Sequence, residues 1–260
     1  MQISKPDKFY DLVVVGGGMV GASFCCALEE ALGENSLSIL VIEALLPNAN
    51  SAKQSSFDAR STALSFGSRK FFEGIGLWQA LEEAVSAIHE IQVSDRGRLG
   101  SVEINRDEQN VEALGYVVEN QRLGQVLNSR LNDSGKINFL CPALVSSVKA
   151  TEKGMQLGLQ HGDTETSVDA SLLVLADGGK SPVCEQLAIA RSIERYDQHA
   201  LIANIVLEKP HQQIAFERFT DTGPLAVLPL KSIDGKNRGS LVWTLSVEQA
   251  AQYKDLGEEL

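Results

Sequence analysis

Three glycines carry the first chemical signal: Gly16, Gly18 and Gly21 stand in a G-x-G-x-x-G arrangement that closes an apolar run and opens a segment of helical periodicity. In such a unit the first glycine allows a tight turn, the second lets a pyrophosphate approach the backbone, and the third permits close helix–strand contact. Amide groups around Met19 and Val20 would then point at a diphosphate from the helix N-terminus, where the dipole favours negative charge. Glu43 ends the next apolar run, at the distance where a carboxylate accepts both ribose hydroxyls of an adenosine and disfavours a 2′-phosphate. Together these residues predict dinucleotide binding, and from spacing alone the dinucleotide is NAD or FAD.

Other reactive groupings are poorly supported. His89, His161, His199 and His211 are scattered without metal-ligand spacing, so no metal site is expected. No G-x-S-x-G elbow exists, and Cys25, Cys26, Cys141 and Cys184 form no C-x-x-C pair. Adjacent cysteines in an apolar run make a strained disulfide, and a reduced, cytoplasmic setting fits best.

The elements that must position these residues follow from periodicity. Asp11 to Val15 reads as a strand buried on both faces, Met19 to Leu32 as a helix stopped by Gly33, and Leu37 to Ile42 as a second buried strand. Asn48 to Ser56 reads as a loop; Ser65 to Ile75 and Leu77 to Val85 read as helices around Gly74 and Gly76. Ile88 to Ser94 and Ser101 to Asn105 form a hairpin, and Gln121 to Leu131 a helix with Leu123, Val126, Leu127 and Leu131 on one face. Strands follow near Ile137 to Leu140 and Leu144 to Ala150, then a hairpin of Met155 to Gln160 with Glu165 to Val168, then an apolar strand Leu172 to Ala176. From Leu201 the chain reads as strands Leu201 to Leu207, Gln213 to Thr220, Leu225 to Leu230 and Gly239 to Leu245, with a helical start at Val247.

The expected class is α/β: a Rossmann-like dinucleotide-binding domain over 1–86 and 113–192, interleaved with a mostly antiparallel β-sheet substrate domain over 87–112 and 193–260. A net charge of −11 repels phosphate backbones, so nucleic acid is not an expected partner. No stretch approaches the ~20 apolar residues of a membrane span, and membrane contact is expected to be peripheral.

Six segments carry a resemblance: DLVVVGGGMVG at 11–21, DARSTAL at 58–64, VVENQRL at 117–123, VLADGGKS at 174–181, and the pair FERFTDTGPLAVLPL at 216–230 with SLVW at 240–243. With these the chain resembles the FAD-dependent aromatic hydroxylases that act on ubiquinone precursors, over nearly its whole length. The resemblance implies FAD as cofactor, NAD(P)H as reductant, molecular oxygen as co-substrate, and hydroxylation of a polyprenylated phenol through a flavin hydroperoxide. It implies that the substrate is met at the inner membrane face or within a ubiquinone-biosynthesis assembly.

Residue by residue, the resemblance places Arg60 near the flavin, as a fixed cation for the reduced ring or the diphosphate, and Arg122 near the ribityl or phosphate region. Asp177 and Gly178 would lie by the diphosphate; the family motif continues to an arginine where this chain has Cys184. Gly223 and Pro224, read as a turn, would bring backbone near the flavin or substrate ring. Phe216, Phe219 and Trp243 would line an aromatic pocket or serve as core. No catalytic base is named by these residues. Family members carry a later Gly-Asp motif with no counterpart after Leu245, so the expectation is a chain that stops before the flavin site is complete. Two alternatives remain at this point: a catalytically incomplete dinucleotide-binding module, and an NAD-dependent dehydrogenase.

Overall fold

A computed structural model describes residues 7–35, 37–45, 57–179 and 181–255. The loop expected over 48–56 lies outside them. The chain divides into two compact units, one of residues 1–58 and 123–192, the other of 59–122 and 193–260.

The first unit is built on β1 (Phe9–Val15), α1 (Met19–Leu32) and β2 (Ile39–Ile42). Every residue of β2 is buried, as is the Leu12–Val15 stretch of β1. That double burial is why these strands read as unbroken apolar runs. The unit 2 elements that follow in sequence are β3 (Ser61–Ser65), α2 (Phe66–Gly74), α3 (Trp78–Glu82), β4 (Ser86–Ile88), β5 (Glu90–Asp95), β6 (Ser101–Asn105) and β7 (Gly115–Glu119). The chain returns through α4 (Asn120–Asp133) to β8 (Ile137–Leu140), β9 (Leu144–Thr151), β10 (Gly154–His161), β11 (Thr164–Leu175) and α5 (Pro182–Gln186).

The first unit's sheet runs β8-β2-β1-β11-β10-β9. Its β8, β2, β1 and β11 strands are parallel, and β10 and β9 extend it antiparallel. Two strands expected from sequence, over 165–168 and 172–176, are one strand. The polar residues Asp169 and Ser171 suggest a break, but Asp169 and Ala170 pair simultaneously with β10 and β1, so the backbone ladder is continuous. The core of this unit gathers Tyr10, Val13, Leu40, Ile42, Leu140, Leu157 and Leu159.

The second unit holds β12 (Gln198–Leu207), β13 (Ile214–Thr220), β14 (Gly223–Ile233), β15 (Lys236–Ser246) and α6 (Val247–Asp255). Six strands in the order β12-β15-β14-β13-β5-β6 form a sheet in which only β13 and β5 run parallel; β3, β7 and β4 make a second, antiparallel sheet. Ile88, Val117, Ala215 and Leu230 close a core between these two sheets. This core draws 59–86 and 113–122 into the second unit, although the sequence places them with the first. β3 escapes sequence reading because Ser61–Ser65 is short and half polar, and it is a strand by virtue of its pairing with Gly115–Glu119.

All four cysteines are free thiols. Burial pushes the Cys25 thiol up to about 12, with Cys26 beside it adding to the shift, and pushes Cys26 up to about 11. Burial also raises Cys141 to about 11, helped by the Glu43 carboxylate. The thiolate is the reactive form, so these three are starved of it at neutral pH. With a chromogenic disulfide at pH 8, the half-buried Cys184 is expected to react first and the other three only on unfolding. Four equally fast thiols in the folded protein would contradict this packing.

Candidate functional site

Where β1 ends, the glycine run forms a cradle whose shape depends on missing side chains. Gly16 has φ +102°, and a Cβ there would lie 2.4 Å from the Ala176 carbonyl oxygen. A Cβ on Gly21 would lie 1.9 Å from the Gly16 carbonyl oxygen, so α1 is seated directly on the turn that precedes it. Gly18 caps α1 without any side-chain hydrogen bond, and no acidic residue occupies the first turn. The Met19, Val20 and Gly21 amides are therefore helix-end donors with no intrahelical acceptor.

Glu43 follows β2 and reaches across to the same turn. One carboxylate oxygen accepts from the Gly17 amide at 2.7 Å, and the other accepts from the Leu45 amide at 2.9 Å. Each ionised oxygen has a further acceptor position, so the carboxylate can organise the turn and still receive ribose hydroxyls. Asp177 and Gly178 leave the end of β11 on the other side, Gly178 with φ +85°.

These residues line one cavity of about 400 Å³, bordered by Gly16, Gly18, Met19, Val20 and Glu43, with Asp177 and Gly178 at one side and Ala143, Leu144 and Val145 at another. The structure thus brings together Gly16, Gly18, Met19, Val20, Glu43, Asp177 and Gly178, and Gly21 supports them from behind. The Leu45 and 143–145 walls were missed by sequence reasoning, because an apolar wall with no distinctive residue type carries no chemical signature. The donor set fits a dinucleotide: amides for the diphosphate, a carboxylate for the ribose, and an apolar slot for the base.

Cys184, where the resemblance implies an arginine, sits in the short helix α5, its amide bonded to Ser181 Oγ at 3.1 Å. Arg191 instead reaches back to this segment, donating to the Gly179 carbonyl at 2.8 Å and to Glu185 at 3.0 Å.

Arg60 and Arg122 belong to the second unit. The Asn120 amide donates to the Arg60 carbonyl at 2.9 Å, so Arg60 and the start of α4 share one corner of the β3/β7 pair. The expected aromatic pocket is not assembled. Phe216 and Phe219 are three apart on β13, which turns them to opposite faces, and both are exposed. Trp243 lies opposite Leu225 and contacts the Tyr253 ring at 4.9 Å instead. Gly223 and Pro224 are not the turn: Thr220 pairs with Gly223 and Phe219 with Pro224, leaving Asp221 and Thr222 to make it.

The family model described as FAD binding domain matches residues 10–257. The chain belongs to that family. FAD is therefore the dinucleotide left open by the glycine spacing, and the dehydrogenase alternative is set aside. Among curated relatives, the chain is 34% identical over 238 residues to the ubiquinone hydroxylase UbiL of Rhodospirillum rubrum, covering 92% of this chain and 52% of the relative. It is 30% identical to the human ubiquinone biosynthesis monooxygenase COQ6 over 98% of this chain and 55% of the relative. With the 3-demethoxyubiquinol 3-hydroxylase of Escherichia coli the identity is 28%, over 95% of this chain and 60% of that protein. The chain thus spans little more than half the length of these relatives. Among solved structures, PqsL of Pseudomonas aeruginosa matches with a TM-score of 0.74 at 20% identity, covering 94% of this chain and 62% of that one. The p-nitrophenol 4-monooxygenase PnpA of Pseudomonas putida matches with a TM-score of 0.75 at 13% identity, covering 95% and 62%. At these identities the FAD-binding family member shares their fold, and the likeness extends no further.

Proposed function

We propose that this chain is part of an FAD-dependent monooxygenase that hydroxylates a phenolic precursor of ubiquinone, a polyprenylated methoxyphenol in the finer form of this reading. Reduction would come from NAD(P)H and the inserted atom from molecular oxygen. The observation that carries the reading is the cradle itself, Glu43 bonded to the glycine turn beside an uncapped helix N-terminus, in a chain similar to ubiquinone hydroxylases.

In this reading the Met19 to Gly21 amides bind the diphosphate, Glu43 orients the adenosine ribose, and Asp177 and Gly178 bound the opposite side of the cavity. Arg60 and Arg122 are assigned to the cofactor as fixed cations, and Gly223, Pro224, Phe216, Phe219 and Trp243 to the substrate unit. The flavin, once bound, supplies two-electron reduction and oxygen activation, while the protein supplies orientation and excludes water. A polyprenyl phenol partitions into lipid, so the reading includes peripheral contact with a membrane surface or a ubiquinone-biosynthesis assembly. No described helix is long and apolar enough to cross a membrane.

The test supplies the protein with FAD, NADH or NADPH, and a short-chain prenylated methoxyphenol under ¹⁸O₂. One labelled oxygen in the product, read by mass spectrometry, is expected. Oxidation of the reduced nicotinamide without labelled product, in protein that holds FAD, would remove the hydroxylase reading and leave FAD binding standing.

A further inference from the structure

We infer that His161 is a positioning residue for nucleotide binding, because its imidazole holds one wall of the cavity in the shape that receives the cofactor. The inference rests on reading that cavity as the dinucleotide site.

The wall is the three-residue connection 141–143 between β8 and β9, together with the first residues of β9. Three contacts tie it, and the β8 end from which it leaves, to the strand-end segment that carries Glu43. The Glu43 amide donates to the Leu140 carbonyl at 3.0 Å, the Ala143 amide donates to the Glu43 carbonyl at 2.8 Å, and the Cys141 thiol donates to the Leu45 carbonyl at 3.3 Å. All three act from the Glu43 side. From β10 the contact comes from His161, whose Nδ1 lies 2.6 Å from the Pro142 carbonyl oxygen. A carbonyl can only accept, so Nδ1 carries the proton in this arrangement. The next residues along, Ala143, Leu144 and Val145, line the cavity, and β10 runs beside them with Gln160 opposite Leu144 and Leu159 opposite Val145.

The imidazole is not needed to hold β10 in place. That strand is bonded on both edges, to β9 and to β11, through ladders of seven residue pairs each. Its inward residues Leu157 and Leu159 are fully buried. Removing the side chain therefore leaves the strand where it is and frees the Pro142 carbonyl. Between Ala143, bonded to Glu43, and Leu144, paired with Gln160, the Pro142 carbonyl then lacks its β10 partner; the connection samples shapes that do not receive the base, and the apparent dissociation constant rises by the inverse of the competent fraction.

The experiment measures ADP and FAD dissociation constants for the wild type, His161→Leu and His161→Asn, with thermal unfolding of each protein without nucleotide. His161→Leu fills similar space without a donor; His161→Asn places an amide donor where Nδ1 stands. The expected result is affinity about tenfold weaker for both ADP and FAD in His161→Leu, by the same factor because the lost interaction serves the adenosine half. Recovery to within about twofold is expected in His161→Asn, with little change in unfolding temperature for either variant. Unchanged affinity in His161→Leu, or a lowered unfolding temperature with no recovery in His161→Asn, overturns the positioning role and leaves the cavity assignment intact. A wild type that binds neither ADP nor FAD overturns the cavity assignment and the positioning role with it.

Discussion

Gly21→Ala is expected to weaken FAD binding by at least about 100-fold, a loss of about 2.7 kcal/mol. The added methyl carbon would stand 1.9 Å from the Gly16 carbonyl oxygen, 3.1 Å from its carbon and 3.2 Å from the Ala176 side chain. Two of those three neighbours are backbone, so no rotamer change can relieve the overlap, and α1 must move off the turn. Overpacking of this kind costs roughly 1–3 kcal/mol in stability. The effect on binding is larger, because the displaced helix end carries the amides that, in the proposed complex, face the diphosphate. Gly74→Ala serves as the control: nothing lies within 4 Å of a Cβ there, and φ is not in the left-handed region. Fluorescence titration with FAD and thermal unfolding on both variants check the expectation. If Gly21→Ala binds FAD like the wild type, the helix is not seated on Gly16.

Loss of the Glu43 carboxylate is the second large effect. Glu43→Ala removes the acceptor of the Gly17 and Leu45 amides and, in the proposed complex, the acceptor of the ribose hydroxyls. Hydrogen bonds to charged groups are worth roughly 1.5–3 kcal/mol, so FAD affinity is expected to fall about 10- to 100-fold. Glu43→Gln retains one acceptor oxygen and should fall between. The variant also carries a signature that simple loosening would not produce. Wild type should prefer 5′-AMP over 2′,5′-ADP, which differ only in the 2′-phosphate that the carboxylate repels, and Glu43→Ala should lose most of that preference. Calorimetric titration with both nucleotides decides it; discrimination that survives in Glu43→Ala would place the ribose elsewhere.

The cradle was legible in the sequence because its constraints are local. A turn with φ +102° at Gly16 and a helix packed against that turn both require glycine, and the sequence spacing shows it. Met19–Leu32 was readable to its ends for a related reason, since Gly18 and Gly33 bound a segment with helical apolar spacing. The four segments that became β12 to β15 likewise read as strands before any pairing was known. What the sequence could not show was the bond between Gly17 and Glu43, across 26 residues, which makes the carboxylate an organiser of the turn in addition to the ribose acceptor proposed for it.

By itself the sequence determined the α/β class and the glycine turn between β1 and α1, because a turn this close to α1 and Ala176 leaves no room for a side chain at Gly16 or Gly21. Only the tertiary structure decided which strands share a sheet, and therefore that 59–86 and 113–122 pack with the second unit and that Phe216 and Phe219 face apart. It also decided which apolar residues wall the cavity. Pairing and burial are chosen by contacts between residues far apart in the chain, and a Leu or Val serves a core, a surface or a binding slot equally well until those contacts form.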